Sequence, residues 1–333
     1  MMPDREMPHR RIALAVRRVA ALTVARAPAI VLVLAATFAA AACSITPAPL
    51  DDNHSGHDAD GTALSATGNV MLPAQDPAIP AGHLQVKDRL EKSPRHGEWA
   101  KIAWTPGSKD SLMAWVVYPE RTRNAPVIVV IHEIFGLSSW VRGVADQLAA
   151  DGFIAVAPDL LSQKRGGPSS DELPADSARK LIAGVNKEEM NQGVAAAARY
   201  GMSLPAAVKK YGVVGYCWGG SASFNHAIFN APGLAAAVVY YGTTPEADSL
   251  ARVKVPVLGL YGGNDQRVNA TIPRADSAMK SLGKTYEKEV FDGAGHGFLR
   301  AQEGPQSANG ANLAAAQKAW PRTIGWFRKY LGS

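Results

Sequence analysis

The sequence predicts an α/β fold with one mostly parallel central sheet flanked by helices. The main observation is that short apolar runs alternate with longer helical patterns from Trp99 to the end of the chain. A second observation is size, because 333 residues with 47% hydrophobic and 19% charged residues suit one such domain preceded by a leader. We find no internal repeat and expect a single folded domain over residues 96–333.

Each predicted strand is a short apolar run bounded by turn residues. The eight runs lie at residues 101–104, 113–118, 127–131, 154–157, 211–215, 236–240, 255–261 and 286–291. Periodic apolar spacing predicts helices at residues 139–150, 187–200, 219–229, 272–282 and 311–331. Pro321 lies inside the last helical pattern, so we expect that helix to be kinked or split. The polar stretch 163–187 predicts a loop or cap between a strand and a helix.

The first 43 residues have the pattern of an export signal. Six arginines stand against one aspartate and one glutamate, and an apolar run follows over residues 27–42. These residues carry +4 of the formal charge of +6, which leaves only +2 for the rest of the chain. Because the basic charge belongs mostly to the leader, the composition argues against a nucleic-acid partner.

Cys43 ends this leader, in a stretch that reads A-A-A-C-S over residues 40–44. Small residues before a cysteine resemble a bacterial lipobox, whose cysteine is lipidated and becomes the new N-terminus. This interpretation predicts a periplasmic protein held by lipid, with the outer membrane favoured. Two alternatives stay open. One is a plain secreted protein, and the other is a retained anchor, although 16 apolar residues fall short of the roughly 20 that cross a bilayer.

Residues 44–95 have the composition of a flexible tether. Pro, Asp, Gly and Ala dominate most of this stretch, and no apolar period is sustained. His54, His57, Asp58 and Asp60 are metal-ligating residue types. Because nothing nearby would hold them in place, we interpret them as part of a solvated linker rather than a metal site.

Cys217 is the second of only two cysteines. If Cys43 is lipidated, Cys217 has no intramolecular partner, and an unpaired thiol is an oxidation hazard in an exported protein. Either burial as a small hydrophobic residue or a chemical role would account for it. Its neighbours favour the chemical role, because residues 215–220 read G-Y-C-W-G-G between a predicted strand and a predicted helix.

This pattern is the nucleophile elbow G-x-S-x-G with cysteine in place of serine. The nucleophile stands on a sharp strand-to-helix turn, where the residues two before and two after it crowd together, so both must be small. Gly215 and Gly219 meet that requirement. The helix that follows then directs its free N–H groups and the positive end of its dipole toward Cys217.

An elbow of this kind needs an acid and a base later in the chain. Asp265 follows the predicted strand that ends at residue 261, and His296 follows the last predicted strand. The carboxyl ends of parallel strands meet at one edge of a sheet, so we expect Cys217, Asp265 and His296 to meet there as a catalytic triad. Asp292 is the competing acid.

Residues 132–136 read H-E-I-F-G directly after the predicted strand 127–131. In an α/β-hydrolase fold this loop supplies one backbone N–H of the oxyanion hole, here that of Ile134, and the residue after the nucleophile, Trp218, supplies the other. Glu133 carries a charge at the end of an apolar strand, where burial without a partner would be costly. The alternative is a surface glutamate in a turn.

Four stretches together resemble the dienelactone hydrolase family of the α/β-hydrolase superfamily. The family pattern reads Q-E-I-F-G, G-Y-C-x-G-G, G-x-x-D and G-H-x-F-x-R. This chain has H-E-I-F-G from residue 132, G-Y-C-W-G-G from 215, G-G-N-D from 262 and G-H-G-F-L-R from 295. The resemblance covers about residues 99–331 and implies an α/β-hydrolase fold, hydrolysis of an ester or lactone, and no metal or cofactor.

The resemblance also implies roles for single residues. Glu133 takes the thiol proton when substrate enters, so that Cys217 is activated on demand. Arg300 matches one of the two arginines with which the family binds the substrate carboxylate. Tyr241, in the stretch Y-Y-G from residue 240, either walls the pocket or belongs to the core.

The second carboxylate-binding arginine of the family is replaced by Gln163. Lys164 and Arg165 are the neighbouring cations, one and two residues out of register, and either is a candidate substitute. The replacement puts dienelactone itself in doubt as the substrate.

We therefore expect an exported hydrolase that cleaves a small ester or lactone through a thioester on Cys217, with His296, oriented by Asp265, activating water. One alternative is a broad carboxylesterase or thioesterase with the same residues, which Gln163 favours. The other is a catalytically idle, tethered binding protein, against which the complete triad argues. The expected partner is a small-molecule substrate, and membrane contact is expected only through the N-terminal lipid or leader.

Overall fold

The computed structural model describes residues 75–121 and 124–332. The predicted signal peptide, Cys43, and the histidines and aspartates at positions 54–60 lie outside these ranges. Eight strands are found in the described part of the chain: β1 (Gly97–Ala103), β2 (Ser111–Val117), β3 (Ala125–Ile131), β4 (Ile154–Asp159), β5 (Ala207–Tyr216), β6 (Leu234–Tyr240), β7 (Val257–Gly262) and β8 (Tyr286–Phe291).

The strands form one sheet in the order β1-β2-β4-β3-β5-β6-β7-β8. β2 runs antiparallel to β1 and β4, and the pairs from β4 through β8 are parallel. Helices cover the sheet: α1 (Val86–Glu91), α2 (Ser139–Ala150), α3 (Ser162–Arg165), α4 (Ala175–Ala183), α5 (Lys187–Ser203), α6 (Trp218–Phe229), α7 (Gln266–Asn269), α8 (Ile272–Ser281) and α9 (Ala311–Leu331). The predicted α/β-hydrolase architecture is confirmed.

The core lies on both faces of the sheet. β3 and β4 are buried along their whole length, which is why they read as continuous apolar runs rather than alternating ones. One apolar cluster packs β3, β5 and β6 against α2 and α9, and a second packs the opposite face against α5 and α6. The loops at the carboxyl ends of β3, β5, β7 and β8 carry Glu133 and the predicted triad.

The predicted tether is wrong for residues 75–95, which pack against the domain. Ile79 and Val86 are buried, and Val86 lies so close to α2 that a Cβ at Gly143 would overlap it. The Arg89 guanidinium donates to the carbonyl of Ile79 at 2.8 Å and to Oε1 of Gln147 at 2.5 Å. The sequence pattern misses this because isolated apolar residues that fill gaps in another surface need no periodic spacing.

Two further expectations change in the structure. The stretch 163–187, predicted as a loop or cap, includes most of α3 and all of α4. The buried carboxylate of Asp159 holds the first part of this stretch in place. It accepts hydrogen bonds from the Ser169 N–H at 2.5 Å and the Ser169 hydroxyl at 2.9 Å. α9 runs as one helix with Pro321 inside it, so it is not split, since its apolar face is buried on the core on both sides of the proline. No helix in the described ranges has the length and hydropathy for a membrane span.

Candidate active site

The predicted elbow is formed at the junction of β5 and α6. Cys217 has φ 56° and ψ −115°, a strained conformation for a residue other than glycine. A Cβ at Gly215 would overlap the carbonyl of Gly219, and a Cβ at Gly219 would overlap that of Ile131. Both glycines are therefore required by backbone contacts, which supports the steric reading of the motif.

Hydrogen bonds on both sides hold the Cys217 backbone in this conformation. Its N–H donates to the carbonyl of Tyr240 at 3.1 Å, and its own carbonyl accepts from the N–H of Ser221 at 3.2 Å. The thiol is free and half-buried at the N-terminus of α6. A sulfur in this place is accessible to a small substrate and close to backbone N–H donors.

His296 joins the other two members of the predicted triad. Its Nδ1 lies 2.5 Å from Oδ2 of Asp265, and the imidazole lies close enough to Cys217 for the sulfur to affect its pKa. Asp265 is buried at the end of β7, where its Oδ1 also accepts from the Val268 N–H at 3.4 Å. Asp292, the competing acid, is exposed. The structure therefore brings Cys217, His296 and Asp265 together.

The protonation of His296 follows from these contacts. Burial lowers its pKa, but hydrogen bonds to Asp265 and Cys217, together with their charges, outweigh burial and raise the pKa to about 10. An imidazole with this pKa is protonated at neutral pH while the sulfur carries a negative charge, since that charge is one cause of the rise. When the sulfur is acylated, the contributions of Cys217 disappear and the pKa falls, which suits His296 to act as a base in a later step.

The loop that carries His296 is anchored by Asn312, which is 1% exposed at the start of α9. Asn312 accepts from the Gly295 N–H at 2.8 Å and donates to the carbonyl of Ala301 at 2.8 Å. Sequence reasoning missed this residue, although an asparagine among the apolar positions of a predicted helix is the kind of signal that could have indicated it.

Glu133 is buried at the end of β3, only 4% exposed, so the alternative of a surface glutamate is wrong. Its Oε2 lies 3.3 Å from Nε of Arg300, without the alignment of a hydrogen bond. Burial raises the pKa of Glu133, and the charges of Arg300 and His296 offset only part of that rise. A carboxylate in this state has a higher affinity for a proton than an exposed one.

The loop after β3 is held by His132, a second residue whose role the sequence did not indicate. Its Nδ1 lies 2.7 Å from the carbonyl of Glu133, and its Nε2 accepts from the Leu160 N–H at 3.2 Å. Since Nε2 accepts, the neutral ring carries its proton on Nδ1. The imidazole also stacks on Trp218 at a centroid distance of 5.7 Å. Ile134 and Trp218, the two predicted oxyanion donors, are both half-buried.

Tyr241 belongs to both the core and the site. It is fully buried, has φ 38°, and its ring centroid lies 5.3 Å from that of His296. Burial raises the pKa of Tyr241 well above its ordinary value, and the charges of Glu133 and Cys217 raise it further. Its hydroxyl, like that of Tyr216, has no hydrogen-bond partner among the described residues. Buried donors of this kind beside reactive groups are available to a substrate or a water.

The predicted substrate-binding cations are placed differently from one another. Arg300 is 17% exposed beside Glu133, with its guanidinium 5.7 Å from the ring of Phe135. Gln163 is exposed, Lys164 forms an ion pair with Glu189 at 3.0 Å, and Arg165 donates to the carbonyl of Pro168 at 2.9 Å. Arg300 is therefore with the triad, whereas Lys164 and Arg165 have partners in their own surroundings.

A cleft of about 480 Å³ lies elsewhere, between α1, α2 and the β1–β2 edge, and includes none of the predicted site residues. The predicted triad is thus not at that cleft. Within the part of the chain that the structure describes, no three His, Cys, Asp or Glu side chains are grouped to hold a metal ion.

Comparisons with known proteins indicate the family. The model of the dienelactone hydrolase family matches residues 112–331. A carboxymethylenebutenolidase of Pseudomonas putida is 34% identical over 198 residues, 57% of this chain and 82% of its own. A carboxymethylenebutenolidase homologue from Yersinia pestis is 30% identical over 260 residues, 73% of this chain and 93% of its own.

Solved structures share the fold. A dienelactone hydrolase from Anabaena variabilis superposes with a TM-score of 0.53 at 21% identity, covering 71% of this chain and 98% of its own. A dienelactone hydrolase-like promiscuous phosphotriesterase from metagenomic libraries has a TM-score of 0.58 at 22% identity, covering 70% and 98%. At these identities the likeness concerns the fold alone.

Proposed function

Because the chain belongs to the dienelactone hydrolase family and is a hydrolase of ester or lactone bonds, we propose that it works through a Cys217–His296–Asp265 triad and a thioester intermediate. The observation that carries this proposal is the 2.5 Å contact of Asp265 with His296, whose imidazole lies beside a free thiol on a strained elbow. The triad logic needs a nucleophile, a base within hydrogen-bond reach and an acid that orients the base.

Activation of the thiol falls to Glu133. His296 stays protonated beside the thiolate once it forms, because the charge of the sulfur and the bond to Asp265 raise its pKa to about 10. Glu133 is buried nearby with a raised pKa, so it gains a proton readily once its partner Arg300 is drawn away. A substrate carboxylate that pairs with Arg300 removes the charge that favours ionised Glu133. Substrate binding and deprotonation of Cys217 are then coupled.

The thiolate attacks the carbonyl carbon, and the negative charge that develops on the carbonyl oxygen is bound by the N–H groups of Ile134 and Trp218. His132 supports this step by fixing the Glu133 carbonyl and the Trp218 ring. Such a donor is worth roughly 10²–10³ in rate. Collapse of the tetrahedral species expels the alkoxide, which takes a proton from His296, and leaves a thioester on Cys217.

Hydrolysis of the thioester uses His296 in its neutral form. The imidazole has given its proton to the leaving alkoxide, and Asp265 keeps Nδ1 as the donor through the 2.5 Å contact. Nε2 is then free to accept a proton from water as the water attacks the thioester carbonyl. Collapse of this second tetrahedral species releases the acid product and the Cys217 thiolate, and Glu133 returns its proton to the sulfur, which restores the starting state.

The proposed substrate is a small ester or lactone that carries a carboxylate, which Arg300 would bind. A second candidate, a carboxylesterase or thioesterase of broad specificity, is favoured by one observation. Gln163 is exposed, and Lys164 and Arg165 are engaged by Glu189 and Pro168, so these three positions offer Arg300 no second cation. The ratio of kcat/KM for matched anionic and neutral esters separates the two.

The decisive experiment traps the acyl-enzyme. In the His296→Asn variant the thioester should form slowly and persist, adding the acyl mass to the peptide that contains Cys217. The Cys217→Ala variant should carry no adduct and no turnover, while its unfolding transition stays cooperative. Turnover retained by Cys217→Ala at near the wild-type rate would exclude the thioester mechanism.

We also propose that the protein is exported and that Cys43 is lipidated. The support is the arginine-rich start, the apolar run and the small residues before Cys43. Mass spectrometry of the native N-terminus tests this proposal. The expected result is a lipidated Cys43 in a membrane fraction, and an intact leader on cytoplasmic protein contradicts it.

A further inference from the structure

Residues 75–91, which we call the strap, lie outside the part of the chain that the family model matches, residues 112–331. They nevertheless pack beside the site. The backbone N–H of His83 donates to the carbonyl of Arg300 at 2.9 Å, and Nδ1 of its ring lies 3.0 Å from the same oxygen. One residue of the strap thus makes two contacts with the backbone of the residue that pairs with Glu133.

Neighbouring contacts extend this attachment along the loop 295–303. Nε2 of Gln302 donates to the carbonyl of Pro80 at 2.9 Å and to that of Leu299 at 2.8 Å. The buried carboxylate of Glu303 lies against Gly82, where a Cβ would overlap it. Three residues of this loop, Arg300, Gln302 and Glu303, are therefore held by three positions of the strap.

The strap is itself held at its other end. Arg89 donates to the carbonyls of Asp76 at 3.1 Å, Pro77 at 2.8 Å and Ile79 at 2.8 Å, which closes the strap on itself. Lys87 forms an ion pair with Asp171 at 3.3 Å. The strap is consequently an ordered segment that is fixed to the domain, and not a flexible linker.

The chemistry of His83 specifies what it contributes. A carbonyl oxygen only accepts, so Nδ1 must carry the ring proton, and Nε2 of the neutral ring is an acceptor. Burial lowers the pKa of His83, and the charge of Arg300 lowers it further, although the bond to the Arg300 carbonyl opposes both. His83 is thus a neutral donor at physiological pH, which adds no second positive charge beside Arg300.

We propose that His83 is a positioning residue for Arg300. By holding the Arg300 carbonyl, the strap sets the direction in which the Arg300 side chain leaves the loop. That direction determines whether the guanidinium pairs with Glu133 or with the carboxylate of an incoming substrate. A long, flexible arginine side chain on a mobile backbone would lose affinity to entropy. This inference rests on the proposed carboxylate-binding role of Arg300 and adds a specificity determinant from outside the family's matched region.

The test compares His83→Ala, His83→Asn and the control Asp88→Asn, an exposed position on the same strap. All three keep the backbone bond of residue 83, so they isolate the side chain. Asn at position 83 places an amide N–H near the position of Nδ1, so it should restore the hydrogen bond to the Arg300 carbonyl. The substrates are p-nitrophenyl hemisuccinate, which carries a carboxylate, and p-nitrophenyl butyrate, which is neutral.

His83→Ala should raise KM for the hemisuccinate ester roughly fivefold to tenfold, the size expected for one lost hydrogen bond. KM for the butyrate ester, and kcat for both, should stay within about twofold. His83→Asn and Asp88→Asn should behave like the wild type. An equal rise in KM for both esters, or no rise, overturns the proposal.

Amide hydrogen exchange provides a second test that does not depend on enzymatic activity. His83→Ala should speed exchange in the loop 295–303, and His83→Asn should restore the protection. Unchanged exchange in His83→Ala overturns the positioning role. If the wild type turns over neither ester, the proposed function fails, and the exchange measurement still decides whether His83 holds the loop.

Discussion

Replacing Glu133 by Gln separates its proposed proton-accepting role from its place in the packing. Gln keeps the length and shape of the side chain but cannot accept the thiol proton. It also leaves Arg300, whose Nε lies 3.3 Å from Oε2, without a charged partner. Because Arg300 is 17% exposed, its guanidinium retains access to water, so the loss of the ion pair alone should not unfold the protein.

The expected loss of activity is large. Removal of a general base costs roughly 10²–10⁴ in rate, which corresponds to about 3–5 kcal/mol of activation free energy. The effect should appear in kcat and in kcat/KM alike, because proton transfer contributes in the transition state and not in binding. KM for anionic esters should fall or stay constant, since Arg300 no longer has to break its ion pair with Glu133 before it binds the substrate carboxylate.

The stability of the same variant should change in the opposite sense. Burial raises the pKa of Glu133, so the native state binds its proton more tightly than the unfolded state does. The native protein is therefore favoured at low pH, and this contribution is lost as the pH rises through the native-state pKa. Glu133→Gln escapes that loss, so its Tm at pH 8 should equal or exceed that of the wild type, and the difference should shrink toward acid pH.

The assay combines steady-state kinetics with thermal unfolding at several pH values. Asp151→Asn is the matched control, because Asp151 is also a carboxyl whose pKa burial raises, but it bonds to Trp320 at 2.9 Å away from the triad. The control should retain activity. If Glu133→Gln keeps a near-normal kcat, another group deprotonates Cys217 and the proposed activation is wrong. If it loses activity together with cooperative unfolding, its role is structural.

Three other predictions follow from the same site. Asp265→Asn should lower kcat by roughly 10²–10⁴, whereas Asp292→Asn, at the exposed alternative acid, should leave it unchanged; equal losses would contradict the assignment. Gly219→Ala should destabilise the domain by about 3 kcal/mol or more in denaturant unfolding, because its Cβ would overlap the Ile131 carbonyl, and a folded, active variant would refute the steric argument. The native pKa of His296 is raised from 6.5 to about 10, so the stability that its pairing contributes is complete below pH 6.5 and is lost as the pH rises through 10. The free energy of unfolding should therefore fall more steeply between these pH values in the wild type than in His296→Asn. Equal slopes for the two proteins would contradict this prediction.

Particular residues show which parts of the site could be predicted from the sequence. The elbow was predictable because its cause is local: two glycines flank a cysteine between a strand and a helix, and each glycine is required by backbone overlap. The acid and the base were predictable because both follow strands whose carboxyl ends share an edge. In the described structure Asp265 and His296 do meet there, 2.5 Å apart.

Other residues needed the folded chain. His132 and Asn312 act through hydrogen bonds to backbone groups 28 and 17 residues away, at Leu160 and Gly295, and no local pattern records such partners. The sequence also left open whether Lys164 or Arg165 stands in for the missing arginine. Only their observed partners, Glu189 and the Pro168 carbonyl, decide where those side chains lie.

The sequence by itself determined the sheet, the elbow and the order of the triad, because periodic burial and short-range sterics are written into neighbouring residues. It could not determine that residues 75–91 brace the loop of Arg300. That segment has too few apolar residues to show a period, and its attachment depends on single contacts more than 200 residues apart along the chain, such as His83 with Arg300, separated by 217 positions. Contacts of that kind exist only once the sheet has brought the two ends of the domain together, so the tertiary structure alone decided them.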